Sequence, residues 1–189
     1  MVKKRQRRLF KVDYLLTPDR RIENGGVLCE NEQILAVGGQ SAFSPEDELE
    51  IVQLNNAYLV PGFIDTHIHG AGGFDCSSVK TSPFSIEAMS NILARRGITS
   101  FLPTVVAAEH DLMLENLALL AKECRRELPG ADTIGINVEG PFINKEKRGA
   151  QQESAIRSID LGFARELIAA GDGMVKVMTF ALKVVLNLT

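Results

Sequence analysis

From Tyr58 onward the chain alternates apolar, strand-like runs with segments of helical period, and this alternation limits the possible folds more than any single motif. Tyr58 to Ile68 reads as a first strand. Ser82-Pro83 predicts an N-cap with proline in the first turn of a helix that runs to Arg96 and stops at Gly97. Ile98 to Val106 is a second strand. A longer helix opens at His110-Asp111, carries Met113, Leu117, Leu120 and Cys124 on one face, and ends before Pro129-Gly130. Thr133 to Glu139 is a third strand. Asp160 to Ala170 is a third helix, closed by Gly171-Asp172-Gly173, and Met174 to Ala181 is a fourth strand. Strands that alternate with helices form parallel βαβ units in which each crossover helix covers the sheet. Four such units fit either a small doubly wound domain or half of a barrel.

The preceding segment has another texture. Leu9 to Leu16, Gly26 to Cys29, Gln33 to Val37 and Leu49 to Leu54 alternate without helical period, with turn residues Glu30-Asn31-Glu32 between two of them. They predict a small β module over residues 1–56, ending near Asn55-Asn56, with the α/β part over 57–181.

Charge and cysteine content narrow the function classes. A formal net charge of −3 gives no global attraction to nucleic acid or an acidic membrane. The basic opening Lys3-Lys4-Arg5-Gln6-Arg7-Arg8 has no interleaved aromatics and reads as a solvated tail. Asp13, Asp19, Arg20 and Arg21 interrupt any hydrophobic segment after it, so neither a signal peptide nor a membrane span is expected. Cys29, Cys76 and Cys124 are odd in number and unpatterned, implying free thiols and a cytoplasmic location. Cys124 falls on the apolar helix face, and Cys76 has no Cys or His partner beside it to make it a ligand or nucleophile.

Chemistry concentrates at the ends of two strands. His67-Ile68-His69 closes the first and is followed by Gly70-Ala71-Gly72-Gly73; two of the chain's three histidines are spent on it. Alternate residues of a strand share a face, so both imidazoles project together as half of a site for zinc, iron or nickel, to be completed by carboxylate, histidine or water. Glu139 ends the third strand, where a carboxylate is costly unless it meets a cation or strong donors, and becomes a third ligand candidate. The loop after it, Asn144 to Gln152, carries Lys145, Lys147 and Arg148. These cations suit an anionic substrate such as a phosphate ester, and equally suit a solvated loop.

The motif Pro61-Gly62-Phe63-Ile64-Asp65-Thr66-His67-Ile68-His69-Gly70, with Gly97-Ile98-Thr99-Ser100-Phe101-Leu102-Pro103-Thr104, Glu139-Gly140-Pro141-Phe142-Ile143-Asn144 and Lys147-Arg148-Gly149-Ala150, resembles the N-acetylglucosamine-6-phosphate deacetylase family of the amidohydrolase superfamily. The resemblance runs in order from about Phe10 to Ala181. It implies a metal-dependent (β/α)₈ barrel beside a small β-sandwich built from both chain ends. The implied activity is hydrolysis of N-acetylglucosamine 6-phosphate to glucosamine 6-phosphate and acetate, with one or two divalent ions, zinc or iron. Glu139 matches the family's metal ligand, and His67 and His69 match the pair kept by members with a second metal. Ala150 matches a residue whose backbone contacts the sugar, and family members are commonly homodimers.

Two departures stand out. Gln151 occupies a position where many members carry a histidine that stabilises the developing oxyanion; an amide donates a hydrogen bond but brings no charge. The family pattern after the fourth strand continues Ala-Pro-Glu, whereas this chain reads Ala181-Leu182-Lys183 and continues to Thr189. Losing one base from a Pro-Glu coding stretch gives Leu-Lys, so residues 182–189 are expected to be a frameshifted tail on a barrel truncated after about four β/α units. The family's two further histidine ligands have no counterpart, since no histidine follows His110, and its catalytic Asp would lie beyond Thr189, so the chain alone is expected to be inactive and weakly stable. Two other readings compete. One is a dihydroorotase- or hydantoinase-like enzyme with Lys176 as a modified bridging lysine; the other is a non-catalytic remnant that binds metal or sugar phosphate.

Overall fold

The computed structural model describes residues 6–44, 49–78, 80, 82 and 84–181. It divides into two compact units at Pro61/Gly62. The anticipated tail, residues 182–189, and Pro83 of the anticipated helix cap lie outside the described residues.

The first unit is a four-stranded sheet of β1 (Arg7–Leu16), β2 (Arg21–Glu30), β3 (Gln33–Gly39) and β4 (Leu49–Leu59), in the order β3-β2-β1-β4. The first three form an antiparallel meander and β4 returns parallel to β1. β4 runs five residues beyond the expected Leu54, straight through the two asparagines read as a terminus. Asn56 takes a left-handed φ of 54°, and the register with β1 shifts between Val12 and Tyr14. The Ala57 N–H then donates to Asp13 Oδ2 at 3.2 Å, so a bulge absorbs the polar pair and pairing resumes at Tyr58. Tyr58 and Leu59 thus belong to β4. Pro61, which has no N–H for a ladder, separates them from the next strand.

The second unit contains β5 (Phe63–Ile68), a two-residue hairpin of β6 (Gly70–Ala71) and β7 (Phe74–Asp75), helix α1 (Ser85–Ala94), β8 (Ile98–Val106), α2 (His110–Glu123), β9 (Asp132–Thr133), β10 (Ile136–Glu139), α3 (Leu161–Ala170) and β11 (Val175–Thr179). α1 starts three residues after Ser82, and the anticipated third strand is split by Ile134-Gly135 into β9 and β10. β5, β8, β10 and β11 pair in parallel in the order β11-β10-β8-β5. The architecture is therefore α/β with mixed sheets: the alternation predicts the parallel sheet, and the first unit supplies the one with both strand directions.

Alternation along these strands sorts their side chains. Phe101 and Val105 of β8 and Ile136 and Val138 of β10 join one buried cluster with Met89 of α1, Leu117 of α2 and Leu167 of α3. Thr104, Asn137 and Glu139 project from the opposite face. Cys124 lies in the buried cluster as expected, its thiol pushed up to about 12 by burial.

His110 ties α2 to α3. Its Nε2 lies 2.7 Å from Glu166 Oε2 of α3 and its Nδ1 2.8 Å from Asp111 Oδ1, with the ring stacked on Phe163. Hydrogen bonds to Asp111 and then Glu166 raise its pKa above the ordinary 6.5. A raised folded-state value means that the link contributes fully below 6.5 and that its contribution is lost as pH rises through the folded value. His110→Gln should therefore lower the melting temperature in mild acid and converge on the parent in mild alkali, which thermal unfolding across that range would check.

Candidate metal centre

Three ligand atoms converge at the ends of β5 and β10. His67 Nε2 is 3.2 Å and His69 Nε2 3.1 Å from Glu139 Oε2, and the two ring nitrogens are 3.3 Å apart. The rings meet edge to face, with centroids 5.1 Å apart. Among the described residues this trio is the group of His, Cys, Asp and Glu side chains able to share one ion, its ligand atoms all within 4.8 Å of one another. His69 lies one residue past the end of β5, on the turn into β6, so the two rings converge across a strand end rather than along an uninterrupted strand.

Several backbone and side-chain groups hold the dipeptide. Asp65 Oδ1 accepts from the His67 N–H at 3.1 Å, and Thr104 Oγ1 accepts from the Ile68 N–H at 3.0 Å. The Cys76 N–H donates to the His69 carbonyl at 2.8 Å, and its thiol donates to the Ile68 carbonyl at 3.3 Å. Burial pushes that thiol up to about 12, which keeps Cys76 an uncharged donor to this carbonyl. His69 Nδ1 lies 3.3 Å from the Thr104 carbonyl. Both ring nitrogens of His69 thus face acceptors, the Thr104 carbonyl at Nδ1 and the Glu139 carboxylate at Nε2. The donor set of two imidazoles and a carboxylate suits zinc or iron.

A cavity of about 910 Å³ has His69 and Glu139 of the trio in its lining, together with Lys147, Arg148, Ala150 and Gln151. The basic loop thus shares a cavity with the metal candidates, a relation its sequence alone left open. Asn144 Oδ1 accepts from the Glu146 N–H at 2.8 Å and starts the short 3₁₀ turn Lys145–Lys147; Gly149 then takes a φ of 61°. Arg148 pairs with Glu153 at 3.4 Å, while Lys147 has no acidic partner among the described residues. Gln151 Oε1 accepts from the Ala107 N–H at 3.0 Å, and its buried Nε2 has no protein partner. Lys176, by contrast, sits at the start of β11 and donates to the Gly173 carbonyl at 3.0 Å, whereas Glu139 pairs with Thr179 at the other end of that strand.

The sequence reading missed Thr104 and Asn137, the polar pair beneath the histidines. A signal was available in Pro103, a proline inside a run otherwise suited to a central strand.

The model of the amidohydrolase family matches residues 58–187. The chain belongs to the amidohydrolase family. Among members of that family it is 32% identical over 177 residues to N-acetylglucosamine-6-phosphate deacetylase of Bacillus subtilis, an alignment that covers 92% of this chain and 44% of the relative. It is 28% identical over 168 residues to N-acetylgalactosamine-6-phosphate deacetylase of Escherichia coli O157:H7, covering 89% and 44%. A solved amidohydrolase, a mutant N-acetyl-D-glucosamine-6-phosphate deacetylase from Mycobacterium smegmatis in complex with N-acetyl-D-glucosamine-6-phosphate, superposes with a TM-score of 0.80 at 30% identity, covering 93% of this chain and 44% of that one. The chain thus spans somewhat under half the length of these relatives.

Proposed function

We propose that this amidohydrolase chain carries the first metal ligands and part of the substrate cavity of an N-acetylglucosamine-6-phosphate deacetylase. The observation that carries the reading is the convergence of His67, His69 and Glu139, two of which, His69 and Glu139, line a cavity together with Lys147 and Arg148. A divalent ion, when bound, supplies Lewis acidity that acidifies water and polarises an amide carbonyl. The chain's own groups do the rest of what residues 1–189 contain. His67 and His69 offer neutral nitrogen donors, Glu139 balances charge, and Lys147 and Arg148 attract the phosphate ester. Ala150 presents its backbone to the sugar, and Gln151, held through Oε1 by the Ala107 N–H, lines the substrate cavity.

The parallel sheet is read here as the first four β/α units of an eight-stranded barrel. Ile64 and Val177, 59% and 39% exposed on the face that also bears Thr104 and Asn137, are the apolar groups a closed barrel interior would bury. Lys176 lies at the wrong end of its strand to bridge metals at Glu139, which weighs against the hydantoinase-type alternative.

The test is acetate release from N-acetylglucosamine 6-phosphate by the purified chain supplied with zinc or iron, with metal content and substrate binding measured on the same sample. The expected result is metal uptake and sugar-phosphate binding without turnover, because no histidine follows His110. Failure to take up metal, or equal binding of the unphosphorylated sugar, would refute the assignment.

A further inference from the structure

The pairing of β5 with β8 is interrupted where the histidines sit. Asp65 pairs with Phe101 and Ile68 with Pro103, so β5 advances three residues while β8 advances two. Pro103 has no N–H to give to a ladder, yet β8 lies inside the sheet, between β5 and β10. Prolines at such positions coincide with bulges, and bulges re-aim side chains next to functional sites.

Two buried side chains take over from the missing ladder. The Thr104 hydroxyl, 3.3 Å from the Leu102 carbonyl to which it donates, turns its lone pairs to the Ile68 N–H at 3.0 Å. Asn137 Nδ2 donates to the Thr66 carbonyl at 3.0 Å. These residues are 2% and 3% exposed and stand opposite one another in the β8–β10 register. Each grips the backbone immediately before one histidine, and the Thr104 carbonyl also meets His69 Nδ1.

We propose that Thr104 and Asn137 are positioning residues of the metal centre: they substitute for the ladder lost opposite Pro103 and so set the separation of His67 and His69. Neither touches the ion. The inference rests on the reading of the trio as a metal site. Outer partners that orient metal-binding histidines typically account for about 10- to 100-fold in affinity.

The test measures zinc affinity of the full chain by competition with a chromophoric chelator, together with the visible spectrum of the cobalt form. Thr104→Val and Asn137→Ala should each weaken zinc by about 10- to 100-fold and shift the cobalt bands, whereas Thr104→Ser, which keeps the hydroxyl, should match the parent. Ser90→Ala is the control. It removes a buried hydroxyl bonded at 2.7 Å to the Ala131 carbonyl and should lower the melting temperature without changing zinc affinity. Parental affinity and spectrum in folded Thr104→Val and Asn137→Ala, or an equal loss in Ser90→Ala, would overturn the proposal. Should neither site variant fold, Thr104→Ala and Asn137→Leu, which remove the same two hydrogen bonds, decide: weakened zinc supports the proposal and parental affinity overturns it. A parent that takes up no zinc defeats the metal reading and this inference together; a parent that binds zinc beside unaffected variants defeats the inference alone.

Discussion

Glu139→Gln should lower the zinc affinity of the chain by more than about 100-fold, beyond the range of losses at outer positioning residues. The carboxylate is the charged member of the trio and the one group within hydrogen-bonding reach of both imidazole nitrogens. An amide of nearly the same shape keeps the volume but loses the negative charge, and it can turn a donor toward the ion. The backbone of Glu139 stays paired with Val106 on one side and Thr179 on the other, so the substitution should leave the fold intact. Competition titration against a chelator, with circular dichroism on the same samples, separates the two effects. Unchanged affinity in a folded Glu139→Gln chain would remove the metal assignment.

The second large effect concerns stability. Phe101→Ala should cost about 3–5 kcal/mol, the range for removing a fully buried phenyl ring. Phe101 is fully buried, near the middle of β8, and packs in the cluster to which all three helices contribute. Since single domains commonly have about 5–15 kcal/mol in total, this variant should be largely unfolded in mild denaturant. Urea titration followed by circular dichroism would show the shift, and a midpoint near that of the parent would mean that the second unit does not depend on this core.

How much of this was legible in the residues depends on the kind of signal. The α/β alternation and the three helices were readable because their apolar spacing matches helical period, although Asp160, read as the first residue of the third helix, proves to be the cap of α3, accepting from the Gly162 and Phe163 N–H groups. The reach of β4 was not readable, because Asn55-Asn56 carries the composition of a turn while the fold uses it as a bulge. The trio was visible as three residues of the right types at strand ends. Its closeness was not, since no local pattern reports the register between strands separated by some seventy residues. The role of the Lys147-Arg148 loop stayed open for the same reason: charge alone does not say which cavity a loop borders.

The alternation along β8 and β10 has a consequence for how such a chain tolerates change. Phe101, Val105, Ile136 and Val138 answer to packing, while Thr104, Asn137 and Glu139, interleaved with them, answer to the site. Substitutions at neighbouring positions of these strands should therefore act differently: those on the packed face should lower thermal stability, and those on the other face should alter the metal centre within an otherwise intact scaffold.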